Sequence, residues 1–128
     1  KIFVSLQKKT QKFMDKRYEV FLSPEAQVFY DSLGLKEQRK IDFVIDKVEI
    51  NLFGDWFKKL TSSKGIWEFV VDFRGVFYRL LSFFDTEEPN DPLIVVTHGF
   101  RKKTNKTPKN EIEKAESFKK KYFSENKE

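Results

Sequence analysis

Two long apolar runs, "IWEFVVDF" (66–73) and "VFYRLLSFF" (76–84), are separated by only Arg74 and Gly75. A two-residue link between such runs has one common solution, a tight β-hairpin whose turn needs positive φ, which glycine adopts without steric cost. With Phe73 facing Val76, Val70 lies opposite Arg79, and Glu68 lies diagonally across from that arginine. One face of the hairpin then carries Glu68, Asp72, Phe77, Arg79, Leu81 and Phe83, and the other carries Trp67, Phe69, Val71, Tyr78 and Leu80. The second set is the more uniformly apolar and is expected to form the core face.

The rest of the chain is organised around that hairpin. A third run, "LIVVTHGF" (93–100), extends it to a meander, and "YEVFL" (18–22) reads as a short strand ahead of it. Ser23-Pro24-Glu25 combines an N-cap, a first-turn proline and an acid that suits the helix dipole, so a helix is expected from there to about Leu33, stopped by Gly34. Ile41, Val44, Ile45, Val48 and Leu52 follow helical spacing and predict a second amphipathic helix from Leu35 to about Phe53. Residues 54–65 read as a connection. Thr107-Pro108 is another cap-plus-proline start, and Ile112, Ala115, Phe118 and Tyr122 mark a final helix.

The expected order is β-α-α-β-β-β-α, an α+β fold in which two helices pack on one face of a small, mostly antiparallel sheet and the other face is left free to act. Residues 1–17 read as an N-terminal extension with no assigned structure, and 18–128 as a single domain. The 15 Phe, 4 Tyr and 2 Trp among 128 residues are enough to fill one compact core despite a 35% charged content.

Charge narrows the partners. The formal net charge is +5 and the pI about 9.3, which favours polyanions, and the bases cluster after residue 100 while "DTEEPND" (85–91) is acidic. Zero cysteines exclude disulfides, cysteine nucleophiles and thiolate metal sites, and one histidine excludes a histidine-rich centre. "DTEEPND" lacks calcium-loop spacing, and there is no glycine-rich phosphate loop, so neither a metal nor a cofactor is expected. No apolar run approaches the roughly 20 residues of a membrane helix, nor does the start carry the apolar stretch of a signal peptide, so a cytoplasmic location is expected.

Three features carry potential chemistry. Arg79 sits among aromatic and aliphatic neighbours, where an unpaired charge is expensive, so it pairs structurally with Glu68 or binds a phosphate. His98 alternates with Ile94 and Val96, which fits a satisfied strand-end histidine as well as a proton carrier. "HGFRKKTNKTPK" (98–109) follows the apolar strand with five basic residues besides the histidine and no acid, which fits either a solvated surface or a nucleic-acid contact.

Lys59-Leu60, Trp67-Glu68, Tyr78-Arg79 and "HGFRKKTNKTP" (98–108) together resemble the HigB-like, phage-derived branch of the RelE/ParE toxin superfamily of type II toxin–antitoxin systems, over roughly residues 18–123. The resemblance implies a RelE-like fold and, for most such members, a ribosome-dependent endoribonuclease (mRNA interferase) that blocks translation. It also implies an antitoxin partner, in this branch often a helix-turn-helix DNA-binding protein.

By the same resemblance, Arg79 matches the sheet arginine that contacts the scissile phosphate, Lys102 and Lys103 match basic residues ending the last strand, and Lys59 matches a basic position before the sheet. Arg74, Arg101, Lys106 and Lys109 complete the expected RNA-binding set. Relatives commonly read "ELR" where this chain has Glu68-Phe69-Val70, so an expected arginine is replaced by Val70, with Arg74 or Arg101 as the candidate substitute. Attack by a neighbouring 2′-hydroxyl needs no metal, only proton removal, stabilisation of charge on phosphorus and protonation of the leaving oxygen. Arg79, His98, Lys102 and Lys103 are the candidate catalytic residues. Two other readings stand beside this one: a ParE-like gyrase inhibitor, and a degenerate toxin acting only as the antitoxin's partner in a DNA-binding complex.

Overall fold

The structure, a computed structural model, describes residues 16–87 and 92–125. The extension before residue 16 and most of the acidic segment at 85–91 lie outside the described residues. The elements in order are β1 (Glu19–Leu22), α1 (Pro24–Asp31), α2 (Leu35–Glu49), β2 (Phe57–Lys59), β3 (Trp67–Phe73), β4 (Val76–Asp85), β5 (Leu93–Lys102) and α3 (Lys109–Glu125). The α+β class is as expected, with one strand more than the sequence suggested. Among the described residues the sheet order is β1-β5-β4-β3-β2, with β1 parallel to β5 and the other pairs antiparallel.

The hairpin forms in the expected register, Val70 opposite Arg79 and Phe73 opposite Val76. Both turn residues have positive φ, 56° at Arg74 and 80° at Gly75, the signature of a primed turn that matches strand twist. The extra strand, β2, pairs Phe57 with Phe69 and Lys59 with Trp67. Three residues are too few to show a strand period, which is why the 54–65 segment reads as a connection in sequence.

Ser23 caps α1 as expected, its Oγ accepting from the Ala26 amide at 3.1 Å. Helix α2 stops at Glu49, short of the expected Phe53, because Asn51 turns left-handed at φ 72°. The Leu52 amide then reaches the Lys47 carbonyl and the Asn51 amide the Val48 carbonyl, which is the Schellman closure with asparagine in the usual glycine place. Glu49, buried at this end, receives the Val20 amide on its carboxylate and so ties β1 to α2.

The two faces of the sheet are covered differently. Helices α1 and α2 pack on one, where Ile41, Val44 and Val48 meet Phe57, Phe69, Tyr78, Leu80, Ile94 and Val96. Phe57 lies at the centre of an aromatic cluster with Phe53, Trp67, Phe69 and Phe84. Gly99 lets α1 come close: a Cβ there would lie 2.3 Å from the Phe29 ring. The opposite face, expected to be free, is only half free. Helix α3 lays Ala115, Phe118 and Tyr122 over Ile66, Leu81, Phe83 and Val95, because its apolar stripe needs a surface to bury and those residues supply one. What stays open is the half toward the Arg74-Gly75 turn, bearing Val70, Asp72, Phe77 and Lys102.

Candidate functional site

The site grows from a β-bulge. Leu81 pairs with His98 but Ser82 pairs with Val96, so Thr97 is an extra residue in β5. One extra residue reverses the alternation beyond it. His98 therefore leaves the face of Ile94 and Val96, where simple alternation places it, and joins Leu81, Arg79 and Phe100 on the α3 face. The Ser23 hydroxyl donates to the Thr97 carbonyl at 2.7 Å and fixes the bulge from the α1 side.

His98 is 2% exposed and both ring nitrogens are engaged. Nδ1 lies 2.8 Å from Thr97 Oγ1, and Nε2 lies 2.9 Å from Glu111 Oε1 in the first turn of α3. Burial pushes its pKa below 6.5, against the opposing pull of Glu111. The neutral tautomer with hydrogen on Nε2 donates to Glu111 and accepts at Nδ1 from the Thr97 hydroxyl, whose one hydrogen is shared between that nitrogen and the Leu81 carbonyl at 3.3 Å. In this arrangement His98 fastens α3 to the bulge.

Arg79 is the largest fully buried side chain, 1% exposed, at the border between the α3-covered and open halves. Its Nη1 donates to Glu68 Oε1 at 3.0 Å and to Thr107 Oγ1 at 3.2 Å. Nη2 reaches the Thr104 carbonyl and Asn105 Oδ1, each at 3.4 Å. The Thr107 hydroxyl donates in turn to Glu68 Oε1. Phe77 lies 5.3 Å from the guanidinium carbon, and Nε is buried without a partner. The diagonal Glu68–Arg79 pair read from the hairpin register is thus present, and residues 104–107 wrap over it. Thr107, expected as a helix cap, instead spends its hydroxyl on this pair.

The basic residues fall into three places. Lys102 ends β5 on the Arg79 face, opposite Phe77, and is exposed along with Lys103 and Lys106 in the wrapping loop and Lys109 at the start of α3. Arg74 is exposed at the hairpin tip, at the same end of the sheet, with its guanidinium carbon 4.9 Å from the Phe73 ring. Arg101 points to the α1/α2 side, opposite Tyr78. Lys59 does not join them: it pairs with Trp67 on the α1/α2 side, three strands from β5. Lys58, which sequence reasoning passed over, faces the Arg79 side directly opposite Glu68. Alternation across "FKK" was the available signal, hidden by the shortness of β2.

A phosphate can approach the exposed lysines of β5 and its loop without rearrangement. It reaches Arg79 only if residues 104–107 leave. Val70, where the resemblance leads one to expect arginine, lies beside Arg79 on the same face. Among the described residues no group of three or more acidic or histidine side chains is arranged to hold a metal ion, and no helix is long and apolar enough to cross a membrane.

No curated protein sequence matches the chain at a significant level. The sequence profile of a family described as phage derived protein Gp49-like matches residues 29–120, well over half of the chain, from the last turn of α1 to within α3. The chain therefore belongs to the phage-derived Gp49-like family, part of the RelE/HigB-like toxin clan associated with toxin–antitoxin systems.

Proposed function

We propose that the chain is the toxin of a type II toxin–antitoxin pair and acts in the cytoplasm as a ribosome-dependent mRNA endoribonuclease, held in check by an antitoxin of the helix-turn-helix type. The observation that carries this reading is the run of exposed cations, Lys102, Lys103 and Lys106, fixed beside an uncovered half-sheet by a buried ion pair. Single-stranded RNA supplies what such a surface takes: phosphates for the lysines, and bases for the partly exposed Phe77 ring.

In the proposed reaction the 2′-hydroxyl attacks the adjacent phosphorus and the bond to the 5′-oxygen breaks, leaving a 2′,3′-cyclic phosphate. Lys102 and Lys103 neutralise the charge that builds on the phosphoryl oxygens, and one of the two ammonium groups protonates the departing 5′-oxygen. The 2′-hydroxyl proton passes to water or to a group of the ribosome. Arg74, Lys58, Lys106 and Lys109 hold flanking phosphates, while Arg101 lies toward the other face.

Expression without an antitoxin tests the reading. Growth arrest with falling translation, lost in Lys102→Ala with Lys103→Ala while the protein stays folded, is the expected result. Arrest that survives the double substitution, or that appears as altered plasmid supercoiling with translation intact, contradicts it and favours a gyrase target. Val70 in place of arginine favours a second reading, a degenerate toxin that serves only its antitoxin's DNA-binding complex. Harmless expression of folded protein would support that one.

A further inference from the structure

We infer that Arg79 serves as a positioning residue, anchoring the basic loop from beneath rather than touching the RNA itself; this rests on the RNA-binding reading above. Four acceptors surround the guanidinium. Two of them, the Thr104 carbonyl and Asn105 Oδ1, belong to the loop between Lys103 and Lys106, and a third, Thr107 Oγ1, closes it. Glu68 holds the other side, accepting from both Arg79 and Thr107. The loop residues 103–106 are themselves exposed and have no regular structure. Without the anchor, the two lysines of such a segment, Lys103 and Lys106, repel each other and Lys102 at the strand end and spread over many conformations, and each phosphate contact must then order them anew.

The opposite arrangement, in which Arg79 is the phosphate ligand and the loop is a cover over it, predicts an effect of opposite sign for one substitution. Thr107→Val keeps the side-chain shape and every charge but removes the hydroxyl that links the loop to Glu68 and Arg79. If Arg79 is an anchor, loosening it disperses the lysines and weakens RNA binding. If Arg79 is a covered ligand, loosening it exposes the guanidinium and strengthens binding.

The experiment measures binding of a fluorescein-labelled single-stranded oligoribonucleotide across a salt series. The proteins are the wild-type chain, Thr107→Val, Thr107→Ser and Lys102→Ala with Lys103→Ala, each shown to be folded by circular dichroism. The anchor predicts about a tenfold loss of affinity for Thr107→Val, the scale of one lost hydrogen bond to a charged group, and a shallower salt dependence although no charge was removed. Thr107→Ser, which restores the hydroxyl, returns both to wild-type values. Unchanged or tighter binding by Thr107→Val overturns the anchor. Absence of wild-type binding, or wild-type affinity in the double lysine variant, overturns instead the RNA reading on which it rests.

Discussion

The two faces of the sheet solve the same packing problem with different materials. Against α1 and α2 the contact is a continuous apolar layer around Phe57, Phe69 and Leu80, with polar groups kept to its margins. Against α3 the apolar layer of Leu81, Phe83 and Val95 gives way within one strand to buried His98, then Arg79 and Glu68, then exposed lysines. An apolar layer is tolerant, since any well-fitting hydrocarbon serves. A buried polar chain is not, because each member is costly if its partner is lost. The difference shows where the molecule stores stability and where it fixes the placement of charge.

Substitutions on each face should tell these two roles apart. The largest effect is expected at the apolar face, where Phe57→Ala empties the middle of the aromatic cluster and lowers unfolding free energy by about 3–5 kcal/mol. Denaturant titration measures it, and RNA contacts made by protein that remains folded should be unchanged. Arg79→Ala is expected to approach the same size, about 3–5 kcal/mol, because Glu68 is left buried without its cation. The faces should separate in the second step: Glu68→Leu combined with Arg79→Met recovers most of the stability, since apolar groups need no partners, yet RNA cleavage stays lost. A double variant as active as wild type would remove the distinction between the faces.

Gly99→Ala is expected to cost about 1–3 kcal/mol by driving the new methyl against Phe29 and Leu80. Phe29→Leu should relieve part of that loss in the same titration. The smallest effect concerns pH. His98 has a folded pKa below its unfolded value of 6.5, so the unfolded chain binds the proton more readily. Its contribution is complete above 6.5 and is lost as pH falls from there through the lower folded value. Thermal melts of wild type should weaken as pH falls below 6.5, while His98→Gln should show a flatter profile.

What could be read from the sequence was what is decided locally. The Arg74-Gly75 turn fixes the β3–β4 register, and with it the Glu68–Arg79 pair, because only two residues separate the strands. The stripe Ile112, Ala115, Phe118 and Tyr122 gave α3 for the same reason. The bulge at Thr97 left no trace, since "LIVVTHGF" alternates equally well with or without an extra residue, and so simple alternation groups His98 with Ile94 and Val96, from which the bulge separates it. The covering of the face expected to be free does have a trace in the sequence: Leu81 and Phe83 are too apolar to face water, and the apolar stripe of α3 needs a surface to bury. Wrapping of residues 104–107 over Arg79 depends on contacts some 25 to 28 positions apart, which no local pattern encodes.

Under the proposed function, the polar end of this sheet presents the β5 lysines to mRNA. The most direct measurement adds purified wild-type chain, and separately Lys102→Ala with Lys103→Ala, to a translating extract and maps mRNA 5′ ends by primer extension. New ends that require both ribosomes and the two lysines are the predicted result. Intact mRNA with folded wild-type protein present, or identical new ends from the double variant, would contradict it.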